Sequence, residues 1–322
     1  MWKKNFWISL LILALILMLA ACNGNDQANK EIESENKETT DTRLFETVKG
    51  EVEIPVNPQR IVTDFYAGEV LAVGGNLVGA DSDAFSHPFI QDQLNDVTDL
   101  GTPMNVEKMV ELNPDLIITM YEDHYEEYSK IAPTLYIPWN TDADIYETLT
   151  LFGDITGNEE EAKAFSEEYD EIVAAAKEQL KDEVDENTTV GIYELTADGK
   201  LWVFGKNFGR GGQVLYDAFD LKAPEKIQTD IMEGDGYAEI SMEVFPEYAA
   251  DYMFMTVYDP ENTGTALNQL QNMSIYQNLD AVKNDTFFIN DFDQFYRYDP
   301  IAIREQVTLF TELLLEKAES TS

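Results

Sequence analysis

Asn158-Glu-Glu-Glu-Ala-Lys-Ala-Phe165-Ser-Glu-Glu-Tyr169-Asp-Glu-Ile172-Val-Ala-Ala-Ala-Lys-Glu-Gln-Leu180-Lys-Asp-Glu-Val184 decides how the rest of the chain is read. Ala162, Phe165, Tyr169, Ile172, Val173, Ala176, Leu180 and Val184 recur at three- and four-residue steps, which places them on one face of a helix. The opposite face is almost entirely Glu, Asp and Lys. Asn158 is positioned to cap this helix, with Glu161 answering three residues on, and Gly157 ends whatever precedes. At roughly 1.5 Å per residue the helix is a rod of about 40 Å, long enough to run the length of a domain. We read it as a strut, residues 158–184, between two α/β halves, 44–157 and 185–322.

The first half has the parts of a parallel α/β sheet. A hairpin over Glu46–Ile54 is ended by Pro55 and Pro58, and Arg60-Ile-Val-Thr-Asp64 reads as a buried strand. A helix near Gly68–Val73 leads to a second strand at Leu77–Ala80. Asn105 caps a short helix that Pro114 stops before the strand Leu116–Met120. Tyr121–Ala132 reads as helix and Thr134–Ile137 as extended chain, and Tyr146, Leu149, Leu151 and Phe152 mark one more helix.

Beyond the strut the order repeats. Thr189–Leu195 and Lys200–Phe204 read as strands around the turn Ala197-Asp198-Gly199, then a glycine-led helix spans Gly209–Phe219. A short helix at Ser241–Tyr248, strands at Tyr252–Tyr258 and Thr286–Asn290, and a helix from Pro300 to Glu316 complete the half. Asn105–Met120 overlays Ser241–Thr256 without a gap, matching a capping residue, two glutamates, an Asp and an apolar strand. Gly68-Glu-Val-Leu with Leu77 likewise overlays Gly212-Gln-Val-Leu with Leu221. Two like lobes joined by one helix follow from the repeat.

The N-terminus bears on the compartment. Lys3 and Lys4 precede an apolar run, Phe6 to Ala21, closed by Leu19-Ala20-Ala21-Cys22. This resembles a bacterial lipoprotein signal over residues 1–21, in which the Cys carries lipid. Cys22 is the sole cysteine, so an internal disulfide is excluded. Residues 22–43 are polar and read as a flexible tether. The chain carries 21 basic and 62 acidic side chains, a formal charge of −41, and loss of Lys3 and Lys4 makes it more negative still. So acidic a surface excludes nucleic acid as a partner and favours solubility in saline or alkaline surroundings.

Asn57-Pro-Gln-Arg60-Ile-Val, Leu100-Gly-Thr, Val106-Glu-Lys, Leu112-Asn-Pro-Asp-Leu-Ile-Ile118, Ile131-Ala-Pro-Thr134 and Leu279-Asp-Ala-Val-Lys-Asn284, together with Cys22, resemble the iron–siderophore and vitamin B12 binding proteins of ABC importers. The resemblance covers nearly all the chain after the tether. It implies a class III periplasmic-binding-protein fold: two Rossmann-like α/β lobes, one connecting helix and a shallow cleft that flexes little. It also implies that a Glu on each lobe meets arginines of the permease, and the matching residues are Glu107 and Glu243. Each stands in the first turn of its helix, where the helix dipole favours a carboxylate in any case. The expected protein is a lipid-anchored monomer on the extracytoplasmic face of a Gram-positive cell membrane.

Five arginines stand out in so acidic a chain: Arg43, Arg60, Arg210, Arg297 and Arg304. Arg210 lies in Gly205-Lys-Asn-Phe-Gly-Arg-Gly-Gly212, which lacks the Gly-Lys-Ser/Thr of a phosphate loop. Its glycines let the backbone turn sharply and present Arg210 to ligand oxygens. By the resemblance, Arg210 contacts the oxygens around iron and Trp202 packs on the body of the ligand. Tyr296, Arg297 and Tyr298 add aromatic surface and a cation, and Tyr66 is expected to face them from the first lobe. Catecholate and citrate chelates are strongly anionic, so near-neutral or cationic ferric hydroxamates suit an acidic protein better. With only His87 and His124 as imidazoles, a bare-metal receptor lacks ligands, and the siderophore itself would hold the iron, with no cofactor. A catecholate, citrate or mixed citrate–hydroxamate siderophore, haem and vitamin B12 are the alternatives within the fold. A carboxylate-dependent extracellular hydrolase is the alternative of another class, though no nucleophile motif supports an enzyme.

Overall fold

A computed structural model describes residues 41–139, 143–185 and 187–321. The leader, Cys22 and all but the end of the tether therefore lie outside the described residues. Among those described, no helix is long and apolar enough to cross a membrane.

Continuous apolar runs make the sheets. The first lobe is built on β3 (Ile61–Thr63), β4 (Leu77–Ala80), β5 (Thr98–Asp99), β6 (Leu116–Thr119) and β7 (Thr134–Tyr136), in the order β5-β4-β3-β6-β7. Every pairing in it is parallel. β3 and β6 are buried along their whole length, as a sheet covered on both faces requires. The second lobe uses β8 (Val190–Thr196), β9 (Leu201–Phe204), β10 (Tyr237–Ile240), β11 (Tyr252–Tyr258) and β12 (Phe287–Asn290), in the order β10-β9-β8-β11-β12. Here β8, β11 and β12 are parallel, whereas β9 runs antiparallel to both β8 and β10. The tight turn Ala197-Asp198-Gly199 permits nothing else, because a parallel neighbour needs a crossover. The repeat seen in the sequence is real in topology: β6 and β11 occupy the same place in their sheets. A separate antiparallel hairpin, β1 (Thr42–Thr47) with β2 (Gly50–Pro55), precedes the first sheet.

The strut helix spans Glu159–Leu180 and buries Ala162, Phe165, Tyr169, Ala176 and Leu180, the face given by the periodicity. Its start differs from the expected capping box. Asn158 makes no side-chain cap; its backbone N–H still donates to Gly153 O at 2.9 Å, so it finishes the preceding helix, Ile145–Thr156. That preceding helix has the capping box instead, between Asp144 and Glu147.

The lobes share one core. Alternate residues of each strand point inward: Ile61, Leu116 and Ile118 from the first sheet, Val190, Ile192 and Phe254 from the second. They belong to one continuous apolar cluster with Phe165 and Leu180 of the strut and with Ile303, Phe310 and Leu314 of the C-terminal helix, Pro300–Thr321. That last helix packs on the strut, on Ala67–Ala72 and Ile145–Thr156 of the first lobe, and on Gln213–Ala218 of the second. Phe310 is fully buried, edge-on to Phe254 at 5.0 Å and Phe295 at 4.8 Å. Burial of a ring like this contributes about 1.5–3 kcal/mol. Outer strand faces form two satellite cores, around Tyr193, Phe245 and Met253 in one lobe and Val62, Met109 and Tyr128 in the other.

A polar contact crosses the seam at the start of the C-terminal helix. Asp299 accepts the backbone N–H of Ala302 at 3.1 Å, and its other oxygen meets His87 Nε2 of the first lobe at 2.7 Å. Both side chains are buried. Gly68 leaves room for this carboxylate, since a Cβ there would lie 2.4 Å from Asp299 Cγ. Gly68→Ala should therefore cost about 1–3 kcal/mol of stability through overpacking, measured by urea unfolding; an unchanged midpoint would mean that the seam yields easily.

Candidate functional site

The strands of both lobes end at the same cavity. Phe65 follows β3, Asp81 follows β4, Glu194 lies near the end of β8 and Tyr258 ends β11. All four line a space of about 450 Å³ that also touches Asp83 and Ser86 of the first lobe and Arg210, Phe292, Asp293, Tyr296 and Arg297 of the second. Carboxyl ends of strands are where α/β sheets place ligands. The volume lies within the range of small-molecule sites. A groove of about 650 Å³ around Lys206, Tyr216 and Met232 is lined by the second lobe alone.

Arg210 reaches this cavity by the expected route. Its φ of +55° is a left-handed conformation made tolerable by the glycine-rich loop, and Gly211 beside it has a φ of +88°. A Cβ on Gly211 would strike the Phe310 ring at about 2.0 Å, so the loop is pressed onto the shared core. The guanidinium is not free, however. Nε and Nη2 donate to Glu194 Oε2 at 3.0 and 2.8 Å, and Nη1 donates to Phe208 O at 2.6 Å. Its Cζ lies over the rings of Phe204 at 4.3 Å and Tyr296 at 4.8 Å.

Arg297 spans the seam: its Nη2 donates to Asp83 O at 2.9 Å and to Ser86 Oγ at 2.8 Å. Its Nε is buried and has no hydrogen-bond partner among the described residues. Buried Gln306 fixes the loop from which Arg297 projects, donating through Nε2 to the carbonyls of Gln294, Phe295 and Arg297. Tyr296 stacks on Phe292 at 4.8 Å and forms part of the cavity wall.

The remaining expected residues stand elsewhere. Tyr66 is buried, donates its hydroxyl to Ile137 O at 2.7 Å and packs on Phe152. Its neighbour Phe65 takes the place in the cavity wall, because adjacent residues point opposite ways as the chain leaves a strand. Trp202 pairs with Glu194 in register but packs on Tyr237 at 6.0 Å, and it is absent from the lining. Tyr298 is half-buried between Phe65 and Trp139, 6.3 Å from each. Trp139 is a residue that the sequence did not single out: it is exposed, comes from the first lobe, and meets Phe208 of the second edge-on at 5.3 Å. Glu194, Asp81, Asp83 and Asp293 are further additions. Their signal in the sequence is only their position at strand or loop ends, in a chain crowded with acids.

Glu107 and Glu243 are exposed, each in the first turn of a short helix that leads into β6 or β11. Asn105 accepts the N–H of Lys108 at 2.9 Å as the expected cap, whereas Ser241 makes no such bond to the backbone. A hydrogen bond from Ser241 holds the Glu243 carboxyl below its ordinary range. Among the described residues no His, Cys, Asp and Glu cluster could hold a metal ion.

Residues 61–293 match the model of a family described as periplasmic binding protein. The chain belongs to that family. Its members bind solutes and are not catalysts. An iron(3+)-hydroxamate-binding protein of Bacillus subtilis, YxeB, is 46% identical over 317 residues, covering 98% of each chain. A second B. subtilis protein, the iron(3+)-hydroxamate-binding protein FhuD, is 36% identical, covering 97% of this chain and 98% of its own. Among solved structures, FhuD2 of Staphylococcus aureus with bound ferrioxamine B has a TM-score of 0.72 at 29% identity, covering 81% of this chain and 100% of its own. The two lobes and connecting helix are the family's class III fold.

Burial shapes the protonation of the acids around the site. Asp81 is pushed up to about 6, first by burial and then by neighbouring Asp83. Burial, followed by the charge of Asp299, pushes Glu69 well above the carboxylate range. Burial alone would raise Asp299 too, but its contact with His87 more than offsets this and holds it low. The folded chain thus keeps the Glu69 proton to a higher pH than the unfolded chain, in which a glutamate ionises near about 4.3. Stability from this group is complete below that value and is lost as pH rises toward its folded pKa. Glu69→Gln should therefore gain in Tm over the native chain as pH is raised from 4.5 to 8; a constant or shrinking difference in thermal melts would contradict a retained proton.

Proposed function

We propose that this is an extracytoplasmic lipoprotein that binds an iron(III) siderophore of hydroxamate type between its lobes and delivers it to an ABC permease for iron uptake. The observation that carries the reading is the cavity at the strand ends, walled by both lobes, with Phe65 and Tyr296 as aromatic surface and two arginines as hydrogen-bond donors. A hexadentate chelator supplies all ligands to its iron, so a wall of rings and N–H groups serves where a protein metal site would not. The N–H groups of Arg210 not engaged by Glu194 and Phe208 are donors suited to hydroxamate oxygens, and Arg297 adds a second guanidinium to the cavity wall. Tyr66 and Tyr298 pack on Phe65 and so buttress this wall, with Trp139 and Trp202 in the aromatic layer beside it. The hydroxamate relatives YxeB and FhuD, and the ferrioxamine B held by FhuD2, support the ligand class.

Lipid on Cys22 would tether the chain to the membrane, two acyl chains being needed for stable anchoring. Glu107 and Glu243, one exposed charge per lobe at topologically equivalent places, would register the protein on the permease. Charges of this kind set orientation and association rate more than affinity.

A fluorescence titration of the chain from Asn23 onward tests the ligand class, with Trp139 and Trp202 as the reporters left outside the leader. Ferrioxamine B and ferrichrome should give saturable quenching, whereas binding confined to a ferric catecholate, ferric citrate, a citrate–hydroxamate chelate or haem would overturn the hydroxamate reading. Combining Glu107→Ala with Glu243→Ala should abolish ⁵⁵Fe uptake by cells while chelate binding persists in vitro; uptake at the native rate would remove both residues from docking.

A further inference from the structure

The walls of the cavity carry the charges Asp81, Asp83, Glu194 and Asp293 against Arg210 and Arg297. Geometry divides these groups. Arg297 engages only neutral partners, Asp83 O and Ser86 Oγ. Arg210 is different, because two of its nitrogens converge on one oxygen of Glu194. The Arg210 and Glu194 side chains are only 13% and 9% exposed, so solvent and salt screen the pair weakly. Thr256 Oγ1 donates to the same Glu194 oxygen at 3.3 Å and helps fix it.

A guanidinium has five N–H groups, and the contacts to Glu194 and Phe208 occupy three of them. Two remain for a ligand. Glu194 thus leaves Arg210 able to donate hydrogen bonds while cancelling its charge. What is left around the cavity is one cation, Arg297, whose charge is also felt by buried Asp299 and Glu69, facing Asp81, Asp83 and Asp293.

We propose that Glu194 is the specificity-determining residue of the cleft: by holding and neutralising Arg210 it takes the walls from one net negative charge to two, and so selects neutral and cationic ferric chelates over anionic ones. This rests on the siderophore-binding function proposed above and names the feature that sets its charge preference. Repulsion of the wrong chelate contributes to discrimination as much as attraction of the right one.

The test compares Glu194→Gln with the native chain. Gln can still accept from Arg210 but leaves the guanidinium charge uncancelled. Dissociation constants are measured for ferrioxamine B, a cation through its pendant ammonium, and for anionic ferric citrate, by titration or competition. The ratio of the ferric citrate constant to the ferrioxamine B constant should fall at least tenfold, about 1.4 kcal/mol of altered preference. A Glu194→Gln, Arg210→Gln double variant, in which both charges are gone, should return the ratio to the native value even if both affinities drop. A ratio unchanged in Glu194→Gln, or one that stays low in the double variant, overturns the proposal. Should Glu194→Gln fail to fold, Arg210→Gln, which leaves Glu194 unmatched, must move the ratio upward, and a fall or no change overturns it. Failure of the native chain to bind ferrioxamine B, ferrichrome or ferric citrate refutes the proposed function and this inference with it, whereas native binding with a charge-blind Glu194→Gln refutes this inference alone.

Discussion

The contact between His87 and Asp299 is the constraint on which the cleft depends. It joins an element of the first lobe to the residue that begins the C-terminal helix, and both partners are withdrawn from water. Breaking such a pair by removing one partner leaves an uncompensated buried charge, which costs about 3–5 kcal/mol. Two residues earlier, Arg297 reaches back across the same seam to Asp83 and Ser86. Beneath both, the C-terminal helix and the strut carry a single apolar core from one sheet into the other. A hinge needs a thin, wet boundary, and this boundary is thick and dry. The lobes are therefore held at a set separation, and the cavity between the strand ends is largely formed before any ligand arrives.

A preformed cavity must select by its walls. Its aromatic rings offer area without charge, and its arginines offer directed N–H groups. The acids then decide which chelates are tolerated, because several of them face the same small volume and burial already raises one of them, Asp81. The extreme acidity of the whole chain acts in the same sense at longer range, although salt screens it beyond roughly 8–10 Å. The near field of Asp81, Asp83 and Asp293 is what remains under saline conditions.

The sequence carries the architecture well and the site only in outline. Apolar runs such as Leu116-Ile-Ile-Thr119 and the three-four spacing of the strut are strong signals, since burial on two faces or one leaves few alternatives. β10 is not legible in this way because it is an edge strand, half exposed, with no apolar run to mark it. At the site, Arg210, Tyr296 and Arg297 stand out because cations are scarce in this chain and rings cluster near residue 295. Tyr66 lies in the core for a simple geometric reason: a shift of one residue at a strand end turns a side chain from the cavity inward; Trp202 shares a face with Glu194 but packs on Tyr237 instead of lining the cavity. Glu194 cannot be found at all from composition. It is one acid among 62, and its meaning emerges only when folding sets it against Arg210, sixteen residues away in sequence.

Anomalous diffraction at the iron edge, from crystals of the chain grown with ferrioxamine B, tests the central claim most directly. The account predicts one strong iron peak in the cavity between Phe65 and Tyr296, with hydroxamate oxygens within hydrogen-bond reach of Arg210 and Arg297 and with the His87–Asp299 contact unbroken. Iron located on surface carboxylates, or in the groove around Lys206 and Met232, would contradict it.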